Sequence, residues 1–396
     1  MKFSQTALSC QESPMRKYHP YAVRAKAAGK KVYHLNIGQP DIPTPPAFFE
    51  TVRSFTEEVL AYAPSPGIPA LIDAIRDYYS RIGVALTPGD VLITTGGSEA
   101  LLFALATILD AGDEIIVPEP YYPNYATFVA CSGARVQPIR TTPESGYHFA
   151  NEAVLESAVT NKTRALLLSN PGNPCGTVLT REEIRLIADF AKKHDLWLIA
   201  DEVYREFVYG GEELMSFAQL DDIADRLILV DSVSKRFSAC GARIGCLISK
   251  NAEFMGHALK FCQSRLSVAT LDQVASAALY TVDGDYFAAV REEYKKRRDT
   301  VYRKLARIPG VVCTCPGGAF YMMAKLPVDD AEKFQIWLLE EFEDQGETVM
   351  FSPGKCFYTT PGQGLSEIRI AYVLKQEDLE RAMDLLALGI EAYNRR

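Results

Sequence analysis

The run at 164–169 reads RALLLS and is apolar at four consecutive positions. A strand with one wet face alternates apolar and polar residues, so a strand this uniformly apolar must be covered on both faces. Similar short apolar runs occur at VLITT (91–95), EIIV (114–117), LWLIA (196–200), RLILV (226–230) and RIGCLIS (243–249). Helical patterns lie between them. In GGSEALLFALATIL (96–109), Leu101, Leu105 and Ile108 share one helical face. In TREEIRLIADFAKKH (180–194), Thr180 and Glu183 have capping-box spacing, and Ile184, Ile187, Ala188 and Ala191 form an apolar stripe. Buried strands alternating with amphipathic helices predict an α/β fold: a mostly parallel sheet, flanked by helices, with right-handed crossovers.

The texture changes near residue 285. A charged helical stretch (286–306) leads to GGAFYMMAKL, a further helix, EIRIAYV, and a last helix with Leu379, Met383, Leu386 and Ile390 at helical spacing. These elements predict a smaller α+β domain over 285–396. The first 44 residues, polar and punctuated by Pro and Gly, read as an arm and part of that domain, which leaves 45–284 as the large domain. YKKRR (294–298) reads as a solvated helix face.

Several function classes are disfavoured. The net charge of −8 argues against nucleic-acid binding. No run of about 18 apolar residues suggests a membrane span, and MKFSQTALSC lacks the apolar stretch of a signal peptide. The nine cysteines are odd in number and scattered without a C-x-x-C, which suits reduced thiols and a cytoplasmic location. Cys313 and Cys315 lack a second ligand pair, and the five histidines show no ligand spacing, so no metal is expected.

In a parallel α/β sheet the ligand lies beyond the carboxyl ends of the strands. After VLITT comes a Gly-rich helix start containing Gly97 and Ser98. Its free N–H groups suit a phosphate, although a plain tight turn has the same signature. After LWLIA come Asp201 and Tyr204. A carboxylate there is more often a cap or an ion-pair partner than a catalyst. After RLILV come Ser232, Lys235 and Arg243. A lone lysine there is ordinarily a solvated loop residue. The conjunction is what matters. An amine, a carboxylate and a phosphate nest with an arginine are the groups needed to hold pyridoxal 5′-phosphate.

The ordered motifs NIGQPDIPTP (36–45), YAPSPGIPALIDAI (62–75), TTGGSEAL (94–101), PEPYYPNY (118–125), SNPGNPCGTV (169–178), ADEVYREF (200–207), SVSKRFSACGARIG (232–245), PGGAFY (316–321) and IRIAYV (368–373) span nearly the whole chain. Together they resemble the aspartate aminotransferase family of pyridoxal-phosphate enzymes, the class I/II aminotransferases of fold type I. The resemblance implies that Lys235 binds the cofactor covalently and carries the proton. Asp201 would pair with the ring nitrogen, Tyr204 and Asn173 with the phenolic oxygen, and Tyr122 would stack on the ring. Gly97, Ser98, Ser232 and Arg243 would hold the phosphate, joined by Tyr62 from the second subunit of a homodimer with shared sites. Arg369 would clamp the substrate α-carboxylate, with Gly38 and Asn173 beside it.

The implied reaction is amino transfer between an L-amino acid and a 2-oxo acid, with aspartate and 2-oxoglutarate the first expectation. Arg16, Lys17 and Arg265 are candidates for a distal carboxylate clamp. A carbon–sulfur β-lyase or a decarboxylase would share the same core set. A pyridoxal-phosphate-dependent transcriptional regulator would need a DNA-binding domain that 40 residues cannot supply. Cys175, Ile72 and Glu99 depart from the family's usual threonine, arginine and glutamine, which bears on substrate choice and not on the core set.

Overall fold

The computed structural model describes residues 1–10, 13, 16–210 and 214–396. Strand β1 (Lys31–His34) lies outside the large sheet. The next seven strands are β2 (Val91–Thr94), β3 (Glu114–Glu119), β4 (Arg135–Arg140), β5 (Thr163–Ser169), β6 (Trp197–Asp201), β7 (Leu227–Ser232) and β8 (Gly245–Ile248). They form one sheet in the order β2-β8-β7-β6-β5-β3-β4. Strands β3 to β7 are mutually parallel, while β8 runs antiparallel to both β2 and β7.

The uniformly apolar β5 explains the layering. Leu166 and Leu168 pack on one face, against a core that includes Ile184, Ile187 and Ala191. Ala165 and Leu167 pack on the other, against a core that includes Leu101, Leu105 and Ala258. Both faces are therefore covered, as that run requires. The helix Arg181–Lys193 begins at the expected capping box, with Thr180 and Glu183 each satisfying the other's backbone N–H.

The remaining strands are β9 (Val312–Cys313), β10 (Tyr321–Lys325), β11 (Glu347–Met350), β12 (Ser352–Pro353) and β13 (Glu367–Ala371). An antiparallel sheet has the order β12-β13-β10-β9, and β1 pairs in parallel with β11. The N-terminal arm is thereby stitched to the chain's last third. Tyr204, Phe207 and Tyr209, just beyond β6, share a core with Tyr321 and Ile370 of this second sheet. That shared core brings β10 and β13 to the carboxyl ends of the large sheet.

Two local expectations need correction. The strand expected at 243–249 begins at Gly245, and Arg243 stands outside it in left-handed conformation, φ 54°. The YKKRR segment is not simply a solvated face. Tyr294 and Arg297 are buried, and Arg297 is held by Asp41, Glu293 and the Val373 carbonyl. A guanidinium four bonds from its backbone can be drawn inward when acceptors wait there, which charge spacing alone cannot reveal. Among the described residues, no helix is long and apolar enough to cross a membrane.

Candidate active site

The ends of β5, β6 and β7 and the start of the helix Gly96–Ile108 converge on a cleft of about 540 Å³. Eleven of the twelve residues singled out from the sequence line it, and only Tyr62 does not. Tyr62 is 81% exposed, near Val59 and Leu60, which are exposed as well.

Asp201 ends β6 and is buried. It accepts hydrogen bonds from the Tyr125 hydroxyl at 2.7 Å and the Val203 N–H at 3.3 Å. Burial pushes its carboxyl up to about 6. Among the described residues no cation pairs with it. Tyr125 is a participant that the sequence reading left in the wall. Its only signal was its place in a helix just beyond β3.

Lys235 sits in a four-residue helix, Val233–Arg236, whose N-cap is Ser232. Its Nζ donates to the Gly38 carbonyl at 3.0 Å and lies 3.7 Å from the Cys240 sulfur. No carboxylate among the described residues pairs with this amine. Gly38 is tightly framed: a Cβ there would fall 1.9 Å from the Tyr321 hydroxyl oxygen. Tyr321 meets the Tyr204 hydroxyl at 2.9 Å, and Asn173 reaches Tyr204 at 3.4 Å. Tyr321 was quoted in a motif but carried no expected role.

Arg243 folds back over the helix start that carries Gly97 and Ser98. Gly96 has φ 70°, and a Cβ there would lie 2.4 Å from the Arg243 Nη2, so a side chain at this position would displace the guanidinium. A cation, a helix N-terminus and the hydroxyls of Ser232 and Ser234 thus share one end of the cleft, an arrangement suited to a phosphate.

Arg369 lies on β13 and is only 1% exposed. It donates to the Asn173 Oδ1 at 3.1 Å and the Asn36 carbonyl at 2.8 Å. Its guanidinium lies over the Tyr321 ring, 4.4 Å from the centroid.

Of the three candidate distal cations, Arg16 lines the cleft. Lys17 turns away to Glu332 at 2.9 Å, and Arg265 is tied to the Ile93 carbonyl and Glu99. Cys175 packs against the cluster of Tyr147, Met323 and Phe357.

The family model for aminotransferase class I and II matches residues 30–386. The chain belongs to that family. The aminotransferase is 30% identical to the aspartate aminotransferase of Bacillus subtilis over 94% of its own length and 95% of the relative's. It is 34% identical to the aspartate aminotransferase of Streptomyces avermitilis, covering 89% of this chain and 88% of that one. Its fold overlays the solved structure of Thermus thermophilus aspartate aminotransferase with maleate at a TM-score of 0.89. That match covers 98% of this chain and 100% of the other, at 28% identity. The aminotransferase fold and activity class follow from the family, and the fold type I expectation is met.

Proposed function

We propose that this cleft holds pyridoxal 5′-phosphate and that the enzyme transfers an amino group between aspartate and 2-oxoglutarate as a homodimer. The observation that carries the proposal is Asp201. A buried carboxylate with a raised proton affinity and no cation partner among the described residues calls for a cation from a ligand. A protonated pyridine nitrogen meets that need, and Lys235, the amine required for a covalent bond to an aldehyde, lines the same cleft.

Pyridoxal phosphate supplies an electron sink for the negative charge left at the substrate α-carbon when its proton departs. The protein's own groups do the rest. Asp201 holds the proton on the ring nitrogen. Tyr204 and Asn173 take the phenolic oxygen, and Tyr122 covers a ring face. Arg243, Ser232 and the N–H groups of Gly97 and Ser98 hold the phosphate, with Tyr62 reaching in from a second subunit. Arg369, Asn173 and the backbone at Gly38, which carries no side chain, receive the substrate α-carboxylate. Lys235 would be the base that takes the α-proton and delivers it to the carbon that had been the cofactor's aldehyde carbon. The unit 45–284 supplies Lys235, the unit 285–396 supplies Arg369, and the arm 1–44 supplies Gly38 and Arg16.

Aspartate as donor is supported by the names of the two relatives and by Arg16, a cation lining the cleft in addition to those already given roles. The exposed Tyr62, Val59 and Leu60 support a partner surface. The test is a half-reaction screen. The common amino acids are mixed singly with cofactor-loaded protein, and conversion to pyridoxamine phosphate is followed spectrally. Aspartate and glutamate should convert fastest, and borohydride should fix the cofactor to wild-type protein but not to Lys235→Ala. Protein that takes up no cofactor refutes the proposal as a whole. Fastest conversion by an aromatic amino acid or alanine refutes the substrate assignment.

A further inference from the structure

Behind the cleft lies a second group of charges, none of which lines it. Glu202 follows Asp201 directly, and Asp231 lies next to it across the sheet, since Asp201 pairs in register with Val230. Three carboxylates therefore crowd two adjacent strand ends, and all three are buried. Two are neutralised. Glu202 takes Arg205 at 2.9 Å, together with the Ser216 hydroxyl and the Phe217 N–H. Asp231 takes Arg236 at 2.5 Å, together with the Tyr79 hydroxyl at 2.8 Å and the Ser232 N–H at 2.7 Å. The Arg236 guanidinium lies over the Tyr78 ring and that of Arg205 over the Tyr79 ring. Neither arginine lines the cleft.

Buried ion pairs gain little stability over apolar side chains of similar volume. What two adjacent pairs do hold fixed is the local charge. Three carboxylates and two guanidiniums leave one negative charge, and it sits on Asp201.

We propose that Arg205 and Arg236 are positioning residues for transamination: by neutralising Glu202 and Asp231 they leave Asp201 as the one uncompensated carboxylate of the three and keep it ionised for the ring nitrogen. This role rests on Asp201 facing the cofactor ring, as proposed above. Burial is the main cause of Asp201's raised proton affinity, and the like charges of Asp231 and Glu202 add to it. The other titratable groups around Asp201 are Tyr122, Tyr125 and Tyr204, which act as hydrogen-bonding or neutral neighbours, and the cleft cations Lys235, Arg243 and Arg369. Arg236 is the sharper probe, because Asp231 also anchors the N–H of Ser232 at the head of the Lys235 turn.

The test measures equilibrium binding of pyridoxamine phosphate to the full chain between pH 5 and 8. This ligand has no aldehyde, so it reports ring and phosphate contacts without the bond to Lys235. Wild-type affinity should fall as the pH drops through the Asp201 range. Arg236→Met leaves the Asp231 charge unpaired and should move that fall upward by about one pH unit, the order of shift that a nearby like charge produces. Arg236→Lys keeps the charge and should restore the wild-type midpoint. The double variant Asp231→Asn with Arg236→Met removes both charges and should also titrate like the wild type. An unmoved midpoint in Arg236→Met overturns the proposal, as does a double variant shifted as far as the single. Should Arg236→Met not fold, Asp231→Asn decides: it removes a like charge and must lower the midpoint. If the wild type binds no pyridoxamine phosphate at any pH, the role of Asp201 fails first and this proposal falls with it.

Discussion

Replacing Asp201 by asparagine should make the cofactor-free protein more stable while making it a worse enzyme. The Asp201 carboxyl sits at about 6 in the fold, against 3.8 for an ordinary aspartate. At 1.36 kcal/mol for each unit, holding it ionised inside the protein costs roughly 3 kcal/mol. The Tyr125 hydroxyl and the Val203 N–H use different oxygens of Asp201, so asparagine keeps its one oxygen for the Val203 N–H and turns its amide N–H to the Tyr125 oxygen, which then accepts. The loss of a charged acceptor takes back about 1 kcal/mol. The net gain is about 2 kcal/mol, or about 2 °C in Tm for a chain of this length.

The pH dependence has a definite sign. Below 3.8 both folded and unfolded wild-type chains carry the proton, and the cost is absent. It grows as the pH rises from 3.8 to about 6 and is complete above that. The assay is urea or thermal unfolding of cofactor-free wild type and Asp201→Asn at pH 4.5, 6 and 7.5. The variant's advantage should be greatest at pH 7.5 and vanish or reverse at pH 4.5. With saturating pyridoxamine phosphate the order should invert at pH 7.5, because only the aspartate can pair with a ring cation. An advantage independent of pH, or a wild type that is the more stable of the two at pH 7.5 without cofactor, would refute the assignment of an uncompensated charge to Asp201.

Arg369→Ala should raise the KM for the amino donor by about 10²- to 10³-fold, the cost of removing one partner of a buried charge pair, while cofactor affinity changes only a few-fold; equal losses in both would contradict its place at the α-carboxylate. Gly38→Ala puts a Cβ 1.9 Å from the Tyr321 hydroxyl oxygen, so Tyr321 must leave Tyr204, and kcat/KM should drop about tenfold or more; wild-type kinetics would show that the frame around Gly38 is soft. If Tyr62 serves the partner's site, neither Tyr62→Ala nor Lys235→Ala chains should be fully active alone. Dissociating and mixing them should regain about a quarter of wild-type sites, since half the dimers are hybrids with one intact site each. No recovery on mixing would place Tyr62 outside the shared site.

Much of this molecule is legible one segment at a time. RALLLS had to be a doubly covered strand, and β5 is one. Thr180 and Glu183 had to open a helix, and they do. Lys235 and Asp201 were marked by position, each just at or beyond the end of an apolar run where a parallel sheet exposes its ligand edge. Arg369 was not legible in this way. Strand alternation alone makes it an exposed residue, and its burial comes from Tyr321 and Phe357 packing over its guanidinium. Arg297 and Arg236 were hidden for the same reason: their acceptors, Asp41 with the Val373 carbonyl and Asp231 with its neighbours, are fixed only when separate segments meet.

The sequence by itself determined the layered sheet, the family and the identity of the groups that can do chemistry, because periodicity, capping and motif order are local and survive without coordinates. Only the tertiary structure decided which charges cancel. Whether a carboxylate is neutralised depends on distances between strand ends and on the dielectric around them, and neither is written along the chain. Thus Glu202 and Asp231 became silent partners of arginines, Lys17 and Arg265 were drawn away from the cleft, and Asp201 was left with a charge to offer a ligand.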